Sequence, residues 1–141
     1  MENYIHKSYT FGGEIIFPKR TGGINQSRGC NKFIKDRWDL TLECIRRFYI
    51  NKESPLSDVL LQDKDFFDLF VDFKGYVDYF YLQDCVSSDY SKVTFWLGNG
   101  NFEPFPLPKT VDEYLKWIER ELEFVEMRNN RIKRDIKRVL F

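Results

Sequence analysis

Seven aspartates, Asp63, Asp65, Asp68, Asp72, Asp78, Asp84 and Asp89, are threaded through a run of phenylalanines and tyrosines. Asp65, Asp68 and Asp72 recur at three- and four-residue spacing, so a single helix would carry them as a carboxylate row. With Asp78, such a row offers the charge of a phosphate backbone to the cationic groove of a nucleic-acid-handling protein. The plainer alternative is a solvated face over an aromatic core. A second group, Lys19, Arg20, Asn25, Gln26 and Arg28, gathers three cations and two amides in ten residues. Guanidinium and amide donors of this kind suit a phosphate, or else tie a loop to its neighbours. Asp39 and Glu43 stand four apart, a pairing that serves acid/base work or ion pairing with Arg46 and Arg47. Arg131, Arg134 and Arg138 lie along one side of the last segment, where they would touch nucleic acid or dock on the acidic middle.

Other chemistry has no pattern to stand on. The sole histidine, His6, has no Ser/His/Asp or Cys/His arrangement around it, so no catalytic residue is assigned. Gly22-Gly23 and Arg28-Gly29 do not make a phosphate loop. Cys30, Cys44 and Cys85 are odd in number and widely spaced, which supports neither a zinc site nor a disulfide framework. No metal and no cofactor is implied. Free thiols, the absence of an N-terminal apolar signal and the absence of a long apolar run lead to a cytoplasmic expectation.

These groups need elements to hold them. Tyr4–Phe11 and Glu14–Phe17 flank Gly12-Gly13 and predict a β-hairpin ended by Pro18. Lys19 to Asn31 reads as a loop. Trp38, Leu42, Ile45 and Phe48 or Tyr49 predict a helix over 36–49. Leu56 to Leu61 predicts a short helix after Ser54-Pro55. Over 63–86 the pattern fits strand or helix, and two helices meeting near Gly75 are favoured. Ser87 to Tyr90 is a turn, and Val93 to Leu97 a strand. Thr110 and Glu113 form a capping box. The helix it opens, about 25 residues long, has Val111, Tyr114, Leu115, Ile118, Leu122, Val125, Ile132 and Ile136 on one face, acids first and bases last.

The 141 residues suit one domain, and 18% aromatic residues can feed a core. Net charge is zero, but its distribution is uneven: +3 over residues 1–62, −8 over 63–126 and +5 over 127–141. A globally basic nucleic-acid binder is therefore not indicated. The fold expected is α+β, a small N-terminal hairpin or sheet packed on several helices with a long C-terminal helix.

The blocks FGGEIIFPKRTGGINQSRGCNKFIKDRWDLTLECIRRFY, SPLSDVL, FFDLFVDFKGYVDYFYLQDCVSSDYSKVTFWL, LPKTVDEYL and EFVEMRNNRI resemble a family of uncharacterised bacterial proteins, from about Tyr9 to Ile132. That resemblance implies no activity. It also implies a further N-terminal region ahead of the IIFP block, so this chain is expected to be a shortened version. In size and character alone the chain is similar to phage or mobile-element inhibitors, including anti-CRISPR proteins. The function expected is a non-enzymatic inhibitor that binds a protein partner such as a Cas nuclease through Asp65, Asp68, Asp72 and Asp78. The alternative is an enzyme or ligand-binding domain that holds a phosphate-bearing ligand on the Lys19–Arg28 loop.

Overall fold

A computed structural model describes residues 6, 10–29, 33–98, 100, 102 and 108–141, with the side chains of 27–29 excluded. Among the described residues, helices with defined bounds follow in the order α1 (Ile24–Gly29), α2 (Trp38–Tyr49), α3 (Ser57–Gln62), α4 (Lys64–Asp68), α5 (Phe73–Tyr79) and α6 (Val111–Leu140). Two 3-10 turns, Phe11–Gly13 and Gln83–Cys85, complete the described elements.

Helix α2 is the spine. Every residue from Asp39 to Ile45 is buried, so the helix is covered on all sides and not along one stripe. Leu40, Leu42 and Ile45 belong to the core with Leu56, Leu60, Phe67, Val77 and Leu82. Around the end of α2 the rings of Phe48, Tyr49, Phe67, Phe70, Tyr76 and Phe80 meet at centroid distances of 4.8–6.4 Å, mostly tilted or edge-on. Burying rings such as Phe67 and Tyr76 contributes roughly 1.5–3 kcal/mol each.

The expected sheet does not form. Among the described residues the β pairing is one isolated antiparallel bridge, Val86 to Val93. Tyr4, Ile5 and residues 7–9 of the expected hairpin lie outside the described residues. Its turn is the 3-10 turn Phe11–Gly13, and Glu14–Phe17 runs without a partner strand. The reason is that buried side chains take the backbone bonds that a neighbouring strand would take. Arg128 donates to the carbonyls of Phe11 (2.9 Å), Gly12 (3.1 Å) and Glu14 (2.6 Å), and Asn129 Oδ1 accepts from Gly12 N at 2.8 Å. In the expected Val93–Leu97 strand, Trp96 N donates to Asp39 Oδ2 at 2.8 Å and Leu97 O accepts from Arg37 at 3.0 Å.

Two helices do occupy the ambiguous segment, but they meet at Leu69–Asp72 and not at Gly75. Asp72 caps α5 by accepting from Gly75 N at 2.7 Å. Gly75 sits inside α5 because a Cβ there would come within 2.0 Å of Phe70 O. The Lys19–Asn31 loop contains helix α1. The short helix expected over Leu56–Leu61 is α3, which starts at Ser57, past Pro55.

The capping box opens α6 as expected: Thr110 Oγ1 accepts from Glu113 N at 3.2 Å. Glu113 Oε2 accepts from Lys109 N at 2.6 Å. Thirty residues make a rod of about 45 Å. Phe124, Val125 and Arg128 are its buried residues, all near the middle. Val111 and Leu115 at one end, and Ile136, Val139 and Leu140 at the other, stay exposed.

Candidate functional site

The α4–α5 link protrudes. Leu69 is 73% exposed and Val71 86% exposed, although both follow the fully buried Phe67. Val71 has φ 71°, a left-handed backbone that a β-branched side chain adopts only at a cost of order 1–3 kcal/mol. The packing directly beneath fixes this conformation: α4 ends over the aromatic cluster, and Asp72 must turn at once to cap α5. Two hollows flank the link. One, of about 250 Å³, is lined by Ile16, Phe66, Leu69, Phe70, Tyr79 and Phe80. The other, of about 470 Å³, brings Phe48, Tyr49, Leu61 and Val71 beside Lys64 and Asp68.

The expected carboxylate row is split by this link, so no one helical face carries it. Asp65 and Asp68 stand exposed on α4, and Asp68 pairs with Lys64. Asp72 is exposed but spends an oxygen on Gly75 N. Asp78 is the most committed. It receives Lys74, Tyr90 Oη at 2.7 Å and Gln83 Nε2 at 3.1 Å. Its burial raises the pKa, but these three donors outweigh that and leave it below the usual carboxylate range. Asp84 is held bidentately by Arg131 at 2.5 and 2.9 Å, an internal docking of basic helix on acidic middle. Asp89 accepts from Ser87 and Ser91, which lower its pKa to about 2.

The basic loop is partly turned inward. Arg20 donates to Gln62 and lies 3.5 Å from Asp63. Gln26 Oε1 accepts from Gly22 N at 2.6 Å, while Lys19 and Asn25 are exposed. The Arg28 side chain lies outside the described residues. Asp39 is fully buried, with Oδ1 accepting from Arg37 Nε and Leu40 N, and Oδ2 from Arg37 Nη2 and Trp96 N. Glu43 is buried too and receives Arg46 twice and Arg47 once. Burial pushes its pKa up, and the two guanidiniums more than reverse the shift. Both carboxylates thus hold the fold together. Among the described residues no three His, Cys, Asp or Glu side chains gather to hold a metal ion. Burial pushes the Cys44 thiol up to about 12 and Cys85 well above its ordinary value. Cys30 lies outside the described residues.

Sequence reasoning passed over Arg128 and Asn129. Arg128 is buried with no ion pair among the described residues, and burial lowers its pKa. It was detectable as a cation three residues after Val125 and four after Phe124, at a position where the helical period calls for an apolar side chain. Leu69 and Val71 were equally visible as apolar residues between two aspartates, but core and exposed Phe, Leu and Val look alike in sequence.

The geometry defines a small helical protein whose ordering relies on buried side-chain–backbone bonds and which presents a strained apolar link edged by acids. Residues 1–132 match a family of unknown function (DUF6994), and the chain belongs to that family. No curated protein and no solved structure matches it. No helix among the described residues is long and apolar enough to cross a membrane.

Proposed function

We propose that the chain is a protein-binding module that docks its α4–α5 link onto the basic surface of a nucleic-acid-handling protein and blocks it. The observation that carries this reading is Val71: a β-branched residue at φ 71°, left 86% exposed between two hollows. Strain that the surrounding structure holds in place on an exposed residue is a feature of binding and switch sites. The composition of the surroundings selects the partner. Residues 56–80 hold six aspartates and two lysines, net −4. An apolar centre with a charged rim has the anatomy of an interface, and acids at the rim steer toward cations. Asp65, Asp68 and Asp72 are the rim, whereas Asp78 is engaged internally. A Cas nuclease is the particular partner suggested by the chain's size and charge pattern.

The test uses the whole chain as bait in a nuclease-treated lysate, followed by elution with competitor DNA. Val71→Gly, which suits the left-handed backbone, and Asp65→Lys/Asp68→Lys are run beside it. The expected result is capture of nucleic-acid-binding proteins that DNA releases, with loss of capture in both variants. Capture that survives DNA and both variants would overturn the proposal.

A further inference from the structure

We propose a second site, independent of the link: the crevice between α6 and the Gln83–Cys85 turn holds a small phosphate ester, clamped by Arg134 and Arg138. The crevice has a volume of about 450 Å³ and a mostly polar lining, within the range of small-molecule sites. Arg131, Arg134 and Arg138 all face it from α6. Their availability differs. Arg131 is consumed by Asp84 in a two-pronged pair. Arg138 is exposed and only 4.0 Å from Asp135, and Arg134 has no ion pair among the described residues.

The two carboxylates in the crevice do not cancel these cations. Asp78 already receives Lys74, Tyr90 and Gln83. Asp135 lies at 4.0 Å from Arg138 in an exposed pair that water screens, so it neutralises little of the guanidinium. Tyr90, which holds Asp78, and Tyr81 on the crevice wall sit at positive φ (60° and 57°), so the surrounding chain over-determines their positions. What remains for a ligand is a pair of guanidinium forks, the geometry that matches phosphate oxygens.

Gln83 adds a second, independent requirement. Its amide nitrogen must face Asp78, because a carboxylate accepts and does not donate. That orientation leaves Gln83 Oε1 buried without a hydrogen-bond partner. A buried acceptor of this kind calls for a donor. A ligand donor meets this acceptor when the Gln83 side chain turns outward into the crevice, and the ligand class that then serves both the forks and the amide has an anionic phosphate and a hydroxyl or amino group, as in a sugar phosphate or mononucleotide. The phosphate-bearing ligand expected at the Lys19–Arg28 loop is thus better served at the opposite end of the chain.

Isothermal titration with inorganic phosphate, ribose 5-phosphate and adenosine monophosphate tests this, with a single-stranded oligonucleotide and phosphatidylserine vesicles as separate arms. The esters should bind saturably and more tightly than inorganic phosphate. Arg134→Ala/Arg138→Ala, both at exposed positions, should weaken ester binding by at least about tenfold, the equivalent of one charge-assisted hydrogen bond. Gln83→Leu should erase the advantage of the esters over inorganic phosphate. Circular dichroism confirms that the variants are folded. No saturable binding of the esters, binding indifferent to the arginines, or binding confined to the oligonucleotide or the vesicles overturns the proposal.

Discussion

Replacing Arg128 by methionine keeps the bulk of the side chain and removes its donors. In the native chain Nε serves Phe80 O at 2.8 Å, and Nη1 is shared by the carbonyls of Phe11, Gly12 and Glu14. The substitution relieves the desolvation of an unpaired guanidinium, a cost of several kcal/mol. Against that, each buried carbonyl left without a donor costs about 1–3 kcal/mol. Phe80 is buried and cannot rehydrate in place, whereas Phe11 and Glu14 are exposed and recover water if the turn lifts. Phe80 and Gly12, both buried, together lose about 2–6 kcal/mol, and the relieved desolvation offsets part of it, which leaves a net loss of about 1–3 kcal/mol, or roughly 5 °C in Tm for a chain of this size. Lysine has three donors but no planar fork, so Arg128→Lys should fall between the two. Urea unfolding reads the global term, and hydrogen exchange at the Gly12 amide, bonded to Asn129 Oδ1, reads the turn. Wild-type stability with an unchanged Gly12 exchange rate would refute the reasoning and assign the turn to Asn129 and packing alone.

Asp39→Asn keeps the shape of the side chain but leaves the buried Arg37 charge without its counter-ion. A loss of about 3–5 kcal/mol in urea unfolding is expected. Alkylation by iodoacetamide at pH 8 should spare Cys44 and Cys85 in the folded chain and label both in urea, as peptide mass spectrometry would reveal; rapid native labelling contradicts their burial. The Glu43 carboxyl titrates below 4.5 when folded, so its contribution is complete above the unfolded value and is lost as pH falls through the folded one. Wild-type stability should accordingly drop on acidification below about pH 4.5, with Glu43→Gln losing less over that window in pH-dependent denaturation.

Local patterns in the sequence carried α2 and α6 correctly. Apolar spacing over 38–49 and the Thr110–Glu113 box are read from neighbours three and four residues apart, and the bonds they form are equally local. The turn at 87–90 and the two helices in the aromatic segment belong to the same class. What failed were the strands at 14–17 and 93–97. Extended, β-prone residues state a need for backbone partners, but not where those partners come from. Here Arg37, Asp39 and Arg128 supply them, from positions 57 to 114 residues away.

The sequence by itself determined where the long helix α6 starts, which residue types fill the core and that opposite charges occupy different segments. Tertiary structure alone decided which charges remain available. Asp39, Glu43, Asp78 and Asp84 look like Asp65 on paper, yet their oxygens are taken by arginines, a lysine, hydroxyls and amides that arrive through packing. The same holds for Leu69 and Val71, whose exposure follows from a left-handed turn forced by Asp72 capping α5 over the aromatic cluster. Charge and hydrophobicity belong to a residue, whereas accessibility belongs to the neighbours that the fold gives it.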